Sequence, residues 1–296
     1  MQKILETGHK GFIGAKVKER LGKIGHDVVG YDVVDGDNLH DLRNLEEKIK
    51  QVDIVLHIAA AADLTKMFDI EGGRKGVLDN VEATHNVAYL CAKHKKWLIY
   101  ASTMCVYGNL HPSLYPARED STLPNPSEIY ACAKYAAEWI IKGYGKNFDL
   151  AWTILRFATI YGEGMREALS TYIFFRQALK NEDITVHGDG SQTRTLTYIH
   201  DLIDGIVAPI ENPERAKGQI FNLSTTEPVS VIKMAEDIKR LTGSKSRIIF
   251  TSQRQNQTFH EHFDTSKAKE LLGWEPRTSW KEGLRRTHEW MKTLDF

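Results

Sequence analysis

The first thirty residues alternate between two hydrophobic rhythms. Ile4 and Leu5 open the chain as a short apolar run, and Gly8, Gly11 and Gly14 break it. Phe12, Ile13, Val17, Leu21 and Ile24 then recur at the three-to-four-residue spacing of a helix face. A second run, Asp27–Asp32, follows. This reads as strand, turn, helix, strand. Each glycine has a physical role: Gly8 permits a sharp turn, Gly11 lets backbone approach a phosphate, and Gly14 lets the helix pack close to the sheet.

The same rhythm continues downstream. Asp53–Ala60 and Trp97–Ser102 are apolar runs of strand length, separated by helical patterns over a short stretch after Asn44 and over about Asp79–Lys95. Residues 63–76 show no clean period and read as irregular. Lys93-His94-Lys95-Lys96 reads as a solvated helix end that complements the dipole. A proline-rich loop reaches Pro126, and a further helical pattern runs to about Tyr144. Strands alternating with helices predict an α/β fold with a doubly wound parallel sheet of the Rossmann kind. Past Gly162 the texture changes to helices and short strands, which predicts a smaller mixed α/β lobe. The expected division is a dinucleotide-binding domain over 1–162, to which the chain returns around 196–224, and a substrate lobe over 163–296.

Composition narrows the class without deciding it. Lysine plus arginine equals aspartate plus glutamate at 39 each in 296 residues, so charge favours neither nucleic acid nor an anionic membrane. No apolar run reaches the roughly 18 residues of a membrane helix, and the chain opens with no signal-peptide pattern. Three widely spaced cysteines, Cys91, Cys105 and Cys132, suit a reducing cytoplasm and suggest no metal cage.

The chemistry lies in two constellations. The first is the glycine turn with Asp32, 18 residues after Gly14. The N-terminus of the helix at Phe12 and Ile13 offers N–H groups to a pyrophosphate. Asp32 is placed to accept from an adenosine ribose and would repel a 2′-phosphate, so NAD is expected over NADP. Ala59 and Ala60 are small enough for a cofactor to lie across the strand tip. Asp41-Leu42 either meets the adenine or forms a plain turn. The second constellation is Thr103 at a strand end with Tyr130 and Lys134 four apart on a helix. That spacing puts the phenol and ammonium on one face, where the ammonium favours phenolate, and Thr103 can hold the same substrate oxygen.

With these motifs on the page, the chain resembles the extended branch of the short-chain dehydrogenase/reductase family, the nucleotide-sugar epimerases and dehydratases. The resemblance covers almost the whole length. It takes in the glycine turn, the Asp53-x-Val55-x-His57-x-Ala59-Ala60 strand, Asn80-Val81, Ser102-Thr103 through Val106-Tyr107-Gly108, Tyr130 with Lys134, Leu155-Arg156 with Tyr161-Gly162, Gly188–Arg194, Asp264–Ala268 and Leu272–Pro276. The resemblance implies oxidation of a sugar carbon by NAD⁺. Tyr130 would act as base, Lys134 would tune it and hold the nicotinamide ribose, Thr103 would orient the hydroxyl, and Asn80 would lie at the cofactor. It also implies that Arg194 meets the substrate diphosphate, that Arg254 is a second such arginine, and that Thr159 touches the substrate where many relatives carry asparagine. A homodimer through helices near 79–95 and 128–145 is implied as well.

Dehydratases of this kind carry Asp-Glu where this chain has Met104-Cys105, and decarboxylases commonly carry Ser-Glu. Methionine and a neutral thiol supply acid–base function poorly. The expectation is therefore a 4-epimerase of a UDP-sugar such as UDP-glucose or UDP-galactose. A decarboxylase or 4,6-dehydratase is the alternative, a reductase consuming NADPH is disfavoured by Asp32, and a cofactor-sensing binding protein is the reading outside enzymes. No metal site is expected: His260-Glu261-His262 lacks a third ligand. Trp274, Trp280 and Trp290 are expected to pack the C-terminal helices. Besides Thr159, two further departures from the family pattern stand out. Glu6 occupies a normally apolar position in a central strand, and 252–263 matches the usual pattern poorly.

Overall fold

The structure is a computed structural model, and it describes residues 1–62, 67, 69–120, 122–253 and 258–296. In chain order the first half is β1 (Lys3–Thr7), α1 (Phe12–Lys23), β2 (Asp27–Tyr31), α2 (Leu42–Ile49), β3 (Ile54–His57), α3 (Ile70–Val77), α4 (Ala83–Lys93), β4 (Trp97–Thr103), α5 (Ile129–Phe148) and β5 (Trp152–Phe157). The second half is β6 (Thr159–Tyr161), α6 (Ser170–Leu179), β7 (Ile184–His187), β8 (Thr193–Tyr198), α7 (Ile199–Glu211), α8 (Pro213–Ala216), β9 (Gln219–Leu223), β10 (Pro228–Ser230), α9 (Val231–Thr242), β11 (Ile248–Thr251), α10 (Ser266–Leu272) and α11 (Trp280–Met291).

Among the described residues, six strands form a parallel sheet in the order β2-β1-β3-β4-β5-β9. After β1 the chain winds first to β2 on one side and then to β3 on the other, which opens a crevice at the strand tips beside β1. β3 and β4 read as near-continuous apolar runs because helices cover both faces. One apolar cluster joins Ile4, Val17, Ile99 and Phe221 to the C-terminal helices through Trp274, Leu284 and Met291. The other face is filled by Leu5, Leu45, Val87, Leu98 and Ile141.

The second half builds a smaller layer over the strand tips: β10-β8-β6 and the parallel pair β11-β7, with α6, α9 and α11 behind. β9 re-enters the large sheet, and α7 packs on α1, with Arg20 Nε 3.1 Å from Asp204 Oδ1. The tryptophans pack as expected. Trp274 donates to the Asp201 carbonyl, Trp280 to Asp237, and the Trp290 ring lies against Tyr172.

One expectation fails. The irregular stretch assigned to 63–76 contains α3, capped by Asp69, which accepts from the Gly72 N–H. Glycines hid it. Gly72, Gly73 and Gly76 lower helix propensity, and at Gly76 the end of the Met67 side chain lies where a Cβ would be, 2.6 Å from it. The long helix expected over 79–95 is also divided: residues 78–82 form a π turn before α4 begins.

Candidate active site

The glycine turn is built for close backbone approach. Gly8 has φ +78°, and a Cβ on it would sit 2.8 Å from the Ala59 backbone. A Cβ on Gly14 would lie 2.2 Å from the Gly8 carbonyl, so α1 reaches the turn only through glycine. Gly11 offers no side-chain cap, which leaves the first N–H groups of α1, at Phe12 and Ile13, open toward the crevice. Asp32 ends β2. Its Oδ2 accepts from the Lys10 N–H at 3.0 Å and its Oδ1 from the Val34 N–H at 3.0 Å, holding the carboxylate at the crevice rim.

Neighbouring residues are placed with different degrees of freedom. Ala59 N–H donates to the Thr7 carbonyl, and Ala60 is exposed. Asn80 is buried and its amide is fully engaged: Oδ1 accepts from the Ala61 N–H, and Nδ2 donates to the Ala61 and Gly76 carbonyls. It shapes the strand-tip loop through backbone. Asp41 spends its carboxylate capping α2, and Leu42 is exposed beside it.

β4 delivers Thr103 at its tip, and α5 brings Tyr130 in its first turn and Lys134 one turn later. Thr103 Oγ1 accepts from the Cys105 N–H at 3.2 Å and acts on the nearby Tyr130 phenol. Burial raises the Tyr130 pKa, and the Cys105 thiol adds to it. Arg166 and Thr103 act in the opposite direction. The expected lowering of the phenol by Lys134 is not found: Lys134 is not among the groups that shift Tyr130, and the phenol pKa is raised. Lys134 is 2 % exposed, its Nζ lies 4.2 Å from the centroid of the Tyr100 ring, and burial pulls its pKa down to about 7 against the pull of Glu138.

Beneath these groups runs a buried polar frame. His57 stacks on Tyr100, with Nδ1 2.7 Å from Thr7 Oγ1 and Nε2 3.1 Å from Thr84 Oγ1. Burial, with Lys134 nearby, takes its pKa to about 3, so the ring is neutral and adds no positive charge below Lys134. One turn further along the same face of α5, Arg156 grips Glu138 with Nε at 3.0 Å and Nη2 at 2.7 Å, and Ser102 Oγ donates to the same carboxylate at 2.5 Å.

The lobe contributes the opposite wall. Thr159 is half-buried on β6. Arg194 on β8 places Nε 3.4 Å from Glu261 Oε1, and Nη1 donates to the Thr193 carbonyl. Glu261 Oε2 also accepts from the Thr195 N–H at 3.2 Å. Arg254 lies outside the described residues.

Comparison with known proteins decides the family. Residues 4–224 match the NAD dependent epimerase/dehydratase family, about three quarters of the chain. The chain belongs to that family. Among its relatives, a UDP-N-acetyl-alpha-D-glucosaminuronate decarboxylase of Bacillus cytotoxicus is 29 % identical over 99 % of both chains. A UDP-glucuronate 4-epimerase of Thermodesulfobacterium geofontis is 31 % identical, covering 97 % of this chain and 95 % of that one. The crystal structure of the UDP-glucuronic acid 4-epimerase of Bacillus cereus, in complex with UDP-glucuronic acid and NAD, superposes with a TM-score of 0.91 at 27 % identity, covering 98 % and 99 %.

The chain belongs to an NAD-dependent family, and these residues fit such a cofactor: glycines whose missing Cβ atoms would leave room for a pyrophosphate, open helix N–H groups that would face it, and the Asp32 carboxylate that would meet a ribose. Three residues that spacing did not single out for catalysis stand near Tyr130. Arg166, in the loop after β6, acts electrostatically on the phenol while its Nη1 donates to the Ala62 carbonyl at 2.8 Å. Glu128 and Glu261 act on the Cys105 thiol together with Arg194. Solvent reaches Cys105, yet protein crowds it enough to raise the thiol to about 11. Glu261 was visible in the sequence only as the centre of His260-Glu261-His262. In the structure its carboxylate pairs with Arg194 and accepts from the Thr195 N–H.

Proposed function

We propose that this chain is an NAD-dependent nucleotide-sugar 4-epimerase acting on a UDP-sugar. The observation that carries the proposal is Thr103, Tyr130 and Lys134 grouped at the strand tips above the glycine turn, with Met104 and Cys105 following Thr103. Bound NAD supplies a hydride acceptor that can return the hydride. Tyr130 Oη takes the proton of the sugar C4 hydroxyl, and Thr103 Oγ1 holds that oxygen in line. Lys134, whose pKa burial brings to about 7 against the pull of Glu138, would favour the phenolate in its ammonium form. Once the keto sugar has turned, the hydride would return to the opposite face of C4 while the Tyr130 phenol gives its proton back to the C4 oxygen.

Residues 1–162, with the return through 199–223, would bind NAD, and 163–296 would hold the nucleotide half, with Arg194 at the diphosphate. Thr159 and Arg166 would face the sugar. Arg166 supports a substrate bearing a carboxylate at C6, since a guanidinium beside the reacting phenol is matched by an anionic sugar. The UDP-glucuronate enzymes among the relatives point the same way. The second reading, decarboxylation, is favoured by Glu128 and Glu261, which put carboxyl groups near the reacting end although Met104-Cys105 does not.

A homodimer through α4 and α5 is supported by the exposure of Leu78, Tyr89 and Trp139 on and beside those helices. Three free cysteines fit a cytoplasmic location. The test is incubation of the purified protein with UDP-glucose, UDP-galactose and UDP-glucuronate, without added reductant, read by mass and sugar NMR. Unchanged mass with inverted C4 is the expected product. Loss of carbon dioxide or water as the main outcome would overturn the epimerase reading.

A further inference from the structure

The ammonium of Lys134 is taken out of water, and the nearest carboxylate is already occupied. Glu138, one turn further along α5, binds Arg156 at 3.0 and 2.7 Å and accepts from Ser102 at 2.5 Å. Among the described residues Lys134 forms no ion pair of its own, and Glu138 acts on it only at longer range. What Nζ meets instead is the face of the Tyr100 ring on β4, 4.2 Å from its centroid. An aromatic face carries negative electrostatic potential, and its attraction for a cation grows as water is excluded. Both residues are buried, Tyr100 completely.

The surroundings hold the Tyr100 ring rather than its hydroxyl. Tyr100 is the register partner of His57, and the two rings stack with centroids 5.6 Å apart. A run of hydrogen bonds fixes His57 in turn. Thr84 Oγ1 donates to the Asn80 carbonyl at 2.6 Å, so it accepts from His57 Nε2–H, and His57 Nδ1 then accepts from Thr7 Oγ1. Both imidazole nitrogens are satisfied in the neutral form, and His57 brings no second cation to the Tyr100 ring. Burial holds the Tyr100 pKa well above its ordinary value, so the group beside Lys134 is a neutral ring and not a phenolate. Its buried hydroxyl has no hydrogen-bond partner among the described residues. An unpaired buried hydroxyl costs stability, so the benefit of tyrosine here lies in the ring.

We propose that Tyr100 is a positioning residue for the reaction, its ring face standing in for a counter-ion against Lys134 and keeping the ammonium charged one turn from Tyr130. The proposal rests on Tyr130 as the base and Lys134 as its tuner, and is independent of the choice between epimerisation and decarboxylation. Burial brings the Lys134 pKa to about 7, so a modest change in its surroundings decides its charge at neutral pH. The titratable groups around it are Glu138 and Tyr130 on α5, Tyr100 on β4, His57 on β3 and Arg156 on β5, the last bound to Glu138. The π turn and α4 contribute Asn80 and Thr84, which carry no charge. The turn after β4 contributes Cys105, and α3 keeps Glu71, Arg74 and Lys75 exposed.

The test is the pKa of Lys134 itself, followed by NMR titration of the lysine side chains in the full chain, with Lys134→Met assigning the resonance. Tyr100→Leu should lower it by about one pH unit, the tenfold change that a water-shielded cation–π contact supplies. Tyr100→Phe keeps the face and loses only the unpaired hydroxyl, so it should titrate as wild type. Phenylalanines with one, two and three ring fluorines at position 100 keep the shape while withdrawing electron density from the face. They should lower the Lys134 pKa stepwise, even if Tyr100→Leu does not fold. An unchanged pKa across the fluorinated series, or a drop in Tyr100→Phe equal to that in Tyr100→Leu, overturns the role of Tyr100. The basic limb of the pH–rate profile should move with the Lys134 pKa. A limb that stays in place while the pKa moves overturns the catalytic assignment of Lys134 beneath the proposal.

Discussion

Replacing Glu138 by glutamine tests how the helix carrying Tyr130 and Lys134 is held. The Glu138 and Arg156 side chains are 1 % and 3 % exposed and meet through two hydrogen bonds at 3.0 and 2.7 Å. Glutamine keeps the volume and one acceptor but leaves the Arg156 charge buried without a counter-ion. Nη1 of that guanidinium already lacks a partner among the described residues. Breaking a buried pair from one side costs about 3–5 kcal/mol. With a urea slope of about 3 kcal/mol/M for a chain of this size, the unfolding midpoint should fall by about 1–1.7 M. Removing both charges, as Glu138→Leu with Arg156→Met, should leave stability within about 1 kcal/mol of wild type, because no unpaired charge remains. Glu138 also supports the Lys134 ammonium against burial, so Glu138→Gln should move the Lys134 limb of the pH–rate profile to lower pH. A single variant with the wild-type midpoint, or a double variant as unstable as the single one, would refute the argument.

Other outcomes follow from the same structure. Tyr130→Phe should lower turnover by about 10²–10⁴-fold while NAD binding persists, checked by product formation and by NAD⁺ titration. Gly14→Ala forces a Cβ to within 2.2 Å of the Gly8 carbonyl, so NAD⁺ affinity should be lost, measured by the same titration. For Glu6, the folded pKa of about 8 lies above the unfolded value near 4.5, so its contribution is fully present below pH 4.5 and is lost as pH rises toward 8. That difference corresponds to about 5 kcal/mol. Urea melts of wild type against Glu6→Leu should therefore diverge with rising pH across that window.

Local chemistry made much of this fold legible. The turn at Gly8, Gly11 and Gly14 is set by steric limits within a dozen residues, and the β3 and β4 runs announce buried strands because both faces are covered. α3 escaped because its glycines, of which Gly76 packs against the end of the Met67 side chain, suppress the helical signal. Asn80 was readable as a polar residue near the cofactor, but only the fold reveals that its amide is spent on the Ala61 and Gly76 backbone. Glu128 and Glu261 lie 133 residues apart, and no spacing rule brings them to one thiol. Likewise, Gly30 reads as a weak spot in a strand until the His9 ring is seen filling its place.

The choice between epimerisation and decarboxylation turns on what happens to a carboxylate once C4 is oxidised. A 4-keto uronate is a β-keto acid. It loses carbon dioxide when the C5–C6 bond stands perpendicular to the carbonyl plane, so that its electron pair flows into the C4 oxygen as an enolate forms. A guanidinium that grips the carboxylate fixes its direction and stabilises the charge that departure would remove. Arg166 is placed for this, acting on the Tyr130 phenol and tethered to the Ala62 carbonyl. Arg166→Ala incubated with UDP-glucuronate should therefore give a larger share of decarboxylated product relative to C4-inverted product than wild type, read by mass from one reaction. An unchanged product ratio, with total turnover retained, would mean that Arg166 does not hold the sugar carboxylate and that the C6 substituent is recognised elsewhere in the lobe.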